Sequence, residues 1–185
     1  HILKGVVGAI AVIHAGRDIR RVAAHREGLG RGPDHGAPHQ PIDPAHVAGL
    51  GIDGQMAGIL GVGADGRHVT PYDSWLDTRC APYIAVMKDE AGDEVIRKTG
   101  GPPSFSHGPK ILWWKHERPE VFAQVAAFVQ PGGYAVMRLC GLDASQAFVD
   151  KSYLHFSGFA DNQRGQWDAG LCAAFGVPVS KLPRI

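Results

Sequence analysis

The apolar positions at the start of the readable part of the chain fall in short runs that predict strands. Residues 47–52 form an apolar run flanked by glycine, which is typical of a buried strand, and residues 59–62 form a second one. Residues 64–67 read Ala-Asp-Gly-Arg, and glycine accepts the positive φ that a hairpin turn requires. The pattern therefore predicts two strands, the second of which leads into a hairpin turn.

After Asp77 the apolar spacing becomes helical. Thr78 is placed to cap a first helix, whose predicted face carries Ala81, Ile84, Ala85 and Lys88. Further helices, most of them with proline in the first turn or glycine after the last, are predicted at residues 94–99, 109–116, 120–128, 134–140 and 168–175. The 120–128 helix would share one apolar face among Phe122, Val125, Ala126 and Val129. Strands followed by helices predict an α/β domain.

The first 45 residues differ in composition from the rest of the chain. Residues 28–44 are rich in Gly, Pro and His, which predicts a loop or a poorly ordered linker, and residues 2–24 fit either a helix or a pair of strands. All 15 aromatic residues lie between Tyr72 and Phe175. We therefore divide the chain into an atypical N-terminal segment, residues 1–45, and a domain, residues 46–185.

Charge and cysteine content exclude several classes of protein. The 19 basic and 18 acidic residues leave a net charge of +1, which gives no electrostatic reason to expect nucleic acid or an anionic membrane as a partner. The three cysteines form no CxxC pair, which suits a reducing cytoplasm. The apolar stretch at residues 6–13 is far short of the roughly 20 residues of a membrane helix. We expect a cytoplasmic protein, and the start at His1 suggests a missing upstream segment.

Two common motifs occur without the context that would make them functional. GxGxxG matches lie at residues 49–54 and 61–66, but a dinucleotide site needs a helix directly after the glycines, and here a hairpin turn is predicted. Sheet glycines are the favoured interpretation, with a nicotinamide site as the alternative. Among ten histidines, His35 and His39 lie in a Pro/Gly loop, and His116-Glu117 lacks the second histidine of HExxH. We therefore predict no metal site.

One polar group of residues points to a ligand. Gln55 follows the first strand, and Trp75, Asp77 and Arg79 follow the hairpin. An indole packs on the C–H surface of a polyhydroxylated ligand, while amide and carboxylate groups bind its hydroxyls. A core tryptophan beside a helix-capping aspartate is the alternative, and the residues alone support both equally.

The order of these motifs resembles the FGGY family of carbohydrate kinases, and most closely its xylulokinase-like members. The resemblance runs from Gly51-Ile-Asp-Gly54-Gln55-Met56 through Trp75-Leu-Asp77-Thr-Arg79 and Gly108-Pro109-Lys110 to Leu182-Pro183, so it covers about residues 46–185. It implies an actin-like, ribonuclease H-like α/β domain. This domain would be the N-terminal half of a two-domain sugar kinase, incomplete at its start.

The resemblance also implies roles for particular residues. Gln55, Met56 and Ala57 would form one edge of the sugar pocket, Trp75 would pack on the substrate, and Asp77 would lie beside it. Xylulokinases usually carry histidine where this chain has Ala57, so the sugar itself stays open. The substrate would be a ketose or polyol phosphorylated by ATP with Mg²⁺ in the full-length parent.

The same resemblance predicts what this chain lacks. The family's Asp-x-Gly-Thr motif does not occur in residues 1–45, and its catalytic aspartate would come after Ile185. We therefore expect no catalytic residue, no tight ATP or metal binding and no turnover from this chain alone. The alternative is a non-catalytic sugar-binding or structural remnant that self-associates as a homodimer.

Overall fold

The computed structural model describes residues 9–14 and 47–185 of the chain. The strands are β1 (Ala9–His14), β2 (Val47–Asp53), β3 (Leu60–Val62), β4 (Ala127–Val129), β5 (Ala160–Asp161) and β6 (Gln166–Trp167). The α-helices are α1 (Ala81–Thr99), α2 (His107–Glu117), α3 (Pro119–Gln124), α4 (Pro131–Cys140) and α5 (Ala169–Ala174). Short 3-10 helices lie at Ala144–Gln146, Lys151–Phe156 and Val179–Lys181. The chain is thus a mixed α/β structure, as predicted.

Within the described residues the strands pair in three antiparallel pairs. β1 pairs with β2, β3 with β4, and β5 with β6. The predicted strands at residues 47–52 and 59–62 are confirmed, and so is the turn after them. The Gly63 N–H donates to the Arg67 carbonyl at 2.8 Å, and Gly66 has a φ of 72°. The first helix after these glycines begins only at Ala81. Most of residues 1–45, including His35 and His39, lie outside the described residues.

Helix α1 joins two predicted helices and buries a different face. Ala91 has a non-helical φ of −153°, which kinks the helix between the two segments that the sequence predicts separately. Residue Cys80, not Thr78, is the N-cap, so that prediction is wrong. The predicted face is also wrong, because Ala85 and Lys88 are exposed. The buried positions are Met87, Val95 and Thr99.

The helix predicted at residues 120–128 is the largest error. Helix α3 ends at Gln124, Val125 is extended, and the next residues form strand β4. Leu60 pairs with Val129 and Val62 with Ala127. The apolar spacing of this stretch fits a helix, but a partner strand more than 60 residues away selects the extended form, and local pattern carries no information about that partner.

The remaining helices agree with prediction. Helix α2 covers the predicted 109–116 and starts two residues earlier. Helix α4 ends before Gly141, whose φ of 66° lets it close the helix. Asp168 caps α5 by accepting a hydrogen bond from the Leu171 N–H at 2.8 Å.

Two of the three apolar clusters among the described residues hold these elements in place. The larger one packs α1, α2, α5 and β4 around Met87, Leu112, Trp114, Phe128 and Phe159. The smaller one packs β3 against α4 and contains Leu60, Val62 and Met137. Each fully buried large side chain contributes about 1.5–3 kcal/mol, so the N-terminal half of α2 is firmly positioned. No helix in the described part of the chain is long and apolar enough to cross a membrane.

Candidate functional site

Three segments meet at the first two turns of α2, and each pair is tied by a hydrogen bond. The Tyr72 hydroxyl donates to Gln55 Oε1 at 2.5 Å. The His107 ring donates from Nε2 to the Met56 carbonyl at 2.6 Å, and Lys110 Nζ donates to the Asp77 carbonyl at 2.9 Å. The loop after β2 and the segment after the hairpin are therefore held against the same helix.

Gly58 makes the first of these ties possible. A Cβ at this position would lie 2.0 Å from the Tyr72 hydroxyl oxygen, so a side chain here would displace the tyrosine. Burial, and secondarily the charge of Asp73, raises the pKa of Tyr72 to about 12. The phenol therefore stays protonated and acts as a donor to Gln55.

A charged group, which we call the Arg79 cluster, consists of Asp73, Asp77, Arg79, Trp113 and Trp114. Arg79 Nε donates to Asp77 at 2.9 Å, and Nη2 donates to Asp73 Oδ1 at 2.7 Å. The Trp114 indole N–H donates to the other Asp73 oxygen. The guanidinium lies 4.1 Å from the ring centre of Trp113, a cation–π distance. Trp114 is buried and Trp113 is half-buried.

The two carboxylates of the Arg79 cluster titrate differently. Burial raises the pKa of Asp73 to about 6, although the Trp114 hydrogen bond and the Arg79 charge oppose that shift. The hydrogen bond from Arg79 lowers the pKa of Asp77, which is only partly buried. One arginine therefore bridges a buried carboxylate and a more accessible one.

A neutral chain of hydrogen bonds, which we call the Gln130 relay, runs through Met56, His107 and Gln130. Burial lowers the pKa of His107 to about 4, so the ring is neutral and carries one proton. That proton is on Nε2, because Nε2 faces a carbonyl oxygen. Nδ1 is then an acceptor, and Gln130 Nε2 lies 3.5 Å from it. The side-chain amide of Gln130 is thereby oriented with its nitrogen toward His107.

The five residues predicted to bind sugar lie on two of the three segments. Gln55, Ala57 and Asp77 are half-buried, while Met56 is 42% exposed and Trp75 is 52% exposed. The structure ties Met56 and Asp77 to α2 through His107 and Lys110, and it ties Gln55 to Tyr72 on the other segment. The role of all five in binding stays a prediction.

Several polar residues of this site were not singled out from the sequence. They are Tyr72, Asp73, His107 and Gln130, whereas Lys110 belongs to the Gly108-Pro109-Lys110 motif quoted above without a role of its own. The one available signal was in α2, where His107 and Lys110 are polar yet occur one turn apart in a mostly apolar helix, and both are buried. Among the described residues no group of three or more His, Cys, Asp or Glu side chains could hold a metal ion.

Comparison with known proteins identifies the family. The model of the FGGY family of carbohydrate kinases, N-terminal domain, matches residues 35–185. This chain belongs to the FGGY family of carbohydrate kinases, as its sequence motifs predict. Among curated relatives, it is similar to the xylulose kinase of Escherichia coli (strain K12), with 34% identity over 140 residues. It is also similar to the xylulose kinase of Bacillus subtilis (strain 168), with 28% identity over 150 residues.

The chain corresponds to only part of these relatives. The matched regions are 75% and 77% of this chain, but the chain spans about 28% of the length of each relative. Among solved structures, the xylulose kinase from Bifidobacterium adolescentis aligns with a TM-score of 0.67 at 19% identity, over 75% of this chain and 35% of that one. The glycerol kinase of Plasmodium falciparum aligns with a TM-score of 0.61 at 20% identity, over 71% and 27%. The predicted actin-like α/β fold is confirmed.

Proposed function

We propose that this chain is the sugar-binding part of an ATP-dependent carbohydrate kinase that phosphorylates a ketose or polyol. Gln55, Met56, Ala57, Trp75 and Asp77 would line its substrate pocket. The observation that carries the proposal is the position of Trp75. Its large indole ring is half-exposed, yet the residues around it are fixed by the Arg79 cluster.

An exposed indole on a hydrogen-bonded turn suits the apolar face of a sugar. The ring offers flat surface to C–H groups at little cost in conformational entropy, because the backbone beneath it is already ordered. Leu76, next to it in the sequence, is also an exposed apolar residue. Gln55 Oε1 accepts one hydrogen bond from Tyr72 and keeps a second lone pair for a sugar hydroxyl.

Asp77 acts in this proposal mainly through Arg79. Both of its oxygens accept hydrogen bonds from the arginine side chain, and Oδ1 also accepts from the Arg79 backbone N–H. The carboxylate therefore holds the guanidinium, which is 45% exposed, at the edge of the pocket. Arg79 donors facing the pocket would bind sugar hydroxyls.

MgATP would supply the phosphoryl group in the whole protein. The described residues contain no group of three or more His, Cys, Asp or Glu side chains that could hold a metal ion, and we assign no phosphoryl-transfer step to them. Their part would be to bind the sugar and orient the hydroxyl that is phosphorylated, which is a large share of catalysis in such reactions. The xylulose kinase relatives favour a pentulose, and a glycerol kinase relative from Thermococcus gammatolerans keeps polyols in consideration.

Calorimetric titration of the chain with D-xylulose, D-ribulose and glycerol tests the proposal. We expect one of these ligands to bind and Trp75→Ala to weaken its binding at least about tenfold, because a stacking aromatic contributes on the order of 1–3 kcal/mol. Leu139→Ala is the control, since Leu139 is similarly exposed but lies on α4. It should leave binding unchanged.

Two outcomes would contradict the proposal. Binding of D-xylulose or D-ribulose that survives Trp75→Ala would place the pentulose elsewhere on the chain. Absence of binding by all three ligands, together with a stable dimer in size-exclusion chromatography, would support the structural alternative, a self-associating module without a sugar site.

A further inference from the structure

A cavity of about 290 Å³ lies beside the N-terminus of α4 and shares none of its lining residues with the predicted sugar pocket. Its wall includes Ile52, Gln130, Gly132, Gly133, Val136 and Phe148. Because one water molecule occupies about 30 Å³ of liquid, the space is that of roughly ten waters. It is large enough for a small organic molecule.

One buried polar atom on this wall has no partner among the residues that the structure describes. Gln130 is 5% exposed, and its Oε1 accepts no hydrogen bond from any residue that the structure describes. The orientation of the amide follows from the Gln130 relay, which directs Nε2 toward His107. Oε1 is the other polar atom of this amide, and Gln130 is one of the residues that line the cavity. A buried acceptor of this kind requires a donor.

The same wall also presents donors. Helix α4 is ten residues long, and its N-cap, Gln130, forms no side-chain cap with any residue in the described ranges. The first N–H groups of a helix have no intrahelical partner, and Pro131 contributes none, so Gly132 and Gly133 offer the free amides at this end. Among the described residues, a Cβ on Gly132 would approach only Gly54 N, at 4.0 Å, so the space beside its Cα is open.

The combination of groups distinguishes between classes of ligand. A fully ionised phosphate ester would suit the two glycine amides but would bring no donor to Gln130 Oε1. Among the described lining residues there is also no Lys or Arg to balance a negative charge, whereas Asp150 is one of them. A hydroxyl group both donates and accepts, so a molecule with several hydroxyls satisfies both kinds of group. The apolar side chains of Ile52, Val136 and Phe148 would contact its carbon chain.

We propose that this cavity binds a small neutral polyol of about three to five carbons, with Gln130 Oε1 and the Gly132 and Gly133 amides as its hydrogen-bond partners. The site is separate from the pocket at Trp75 and does not depend on the proposed kinase function. The Gln130 relay connects it to the Met56 carbonyl, so an occupant that moves Gln130 also acts on the edge of the sugar pocket.

Nuclear magnetic resonance of the ¹⁵N-labelled chain tests this site directly. We expect xylitol and glycerol to shift the Gly132 and Gly133 amide signals in a saturable way, and inorganic phosphate to leave them in place. Val136→Phe should fill the cavity and raise the apparent Kd for xylitol at least about tenfold, which is the effect of losing one good contact. Leu139→Phe, on the exposed side of the same helix, should keep the Kd within about twofold.

A third variant separates the two sites. Trp75→Ala should leave the xylitol-induced shifts of Gly132 and Gly133 unchanged, even where it removes sugar binding at Trp75. Loss of these shifts in Trp75→Ala would overturn the proposal of a second site. Shifts caused by phosphate in place of xylitol would overturn the ligand class, and unshifted signals with every polyol would overturn the site.

Discussion

The Arg79 cluster and the Gln130 relay each reach one residue of the predicted sugar pocket, Asp77 in the first case and Met56 in the second. In the Arg79 cluster the groups are charged, and both oxygens of Asp73 accept hydrogen bonds. In the Gln130 relay the groups are neutral, and the chain of bonds ends at an acceptor without a partner among the described residues. A network in which every donor and acceptor is paired fixes the geometry of its residues. A buried acceptor without a partner is instead the position at which a ligand's hydrogen bond contributes most to binding.

Burial acts on both groups by favouring the neutral form, but it does so with opposite consequences for pH. It raises the pKa of the acid Asp73 to about 6 and lowers the pKa of the base His107 to about 4. Stability should therefore respond to pH in opposite directions at the two positions. Three experiments test this difference between the regions.

Removing the arginine should have the largest effect. Arg79→Met keeps the apolar stem but leaves the Asp73 carboxylate buried without its cation, and we expect the free energy of unfolding to fall by about 3 kcal/mol. Urea denaturation measures this loss. Arg97→Met is the matched control, because Arg97 pairs with Glu94 on the surface of α1 and should contribute nothing measurable. Equal effects of the two substitutions would show that the Arg79 cluster is not a buried ion pair in practice.

The pH dependence of His107 should come second. Its folded pKa of about 4 lies below the ordinary 6.5, so the unfolded chain takes up the proton first as pH falls. The stabilisation is complete above about pH 6.5 and is lost toward pH 4. We expect the wild-type chain to lose about 2 kcal/mol relative to His107→Gln between about pH 7 and pH 5. Glutamine keeps a donor for Met56 but does not titrate, so parallel curves for the two proteins would contradict a neutral, buried His107.

Asp73 should show the smallest effect, with the opposite sign. Its folded pKa of about 6 lies above the ordinary 3.8, so the unfolded chain loses its proton first as pH rises. Its contribution is full at low pH and falls as pH rises through 6. The wild-type chain should lose about 1 kcal/mol relative to Asp73→Asn between about pH 5 and pH 7.5. Asp77→Asn is the control. Its stability should diverge from that of the wild-type chain only in acid, because the pKa of Asp77 is lowered. A loss of wild-type stability relative to Asp77→Asn near pH 6 would contradict the assignment of that titration to Asp73.

Local sequence signals predicted the parts of the fold that local chemistry decides. Glycine closes α4 at Gly141 and α1 at Gly100, both with positive φ, and the turn at Gly66 is of the same kind. The helix prediction was wrong at Val125–Val129 because the conformation of this stretch depends on pairing with β3. The prediction of the buried face of α1 was wrong for a related reason. The apolar spacing was consistent with burial of Ala85 and Lys88. The groove that α1 occupies instead buries Met87, which lies against Gly108 and Gly158.

The candidate site was predictable only where family motifs name its residues. Gln55, Trp75 and Asp77 stand in recognisable order along the chain. His107 and Gln130 do not, because their roles arise from contacts 51 and 23 residues apart in sequence. A neutral histidine, and an amide oxygen without a partner among the described residues, can be recognised only when burial and hydrogen-bond partners are known.

The cysteines provide a practical handle on helix α4. Cys80 and Cys172 are buried, and burial raises the pKa of both thiols, whereas Cys140 is exposed in the last position of the helix. A thiol-reactive dye would therefore label Cys140 selectively without mutagenesis. Ten helical residues span roughly 15 Å, so the dye would stand one helix length from Gly132. The chain could in this way be converted into an optical sensor, in which fluorescence at one end of α4 reports on the occupant at the other.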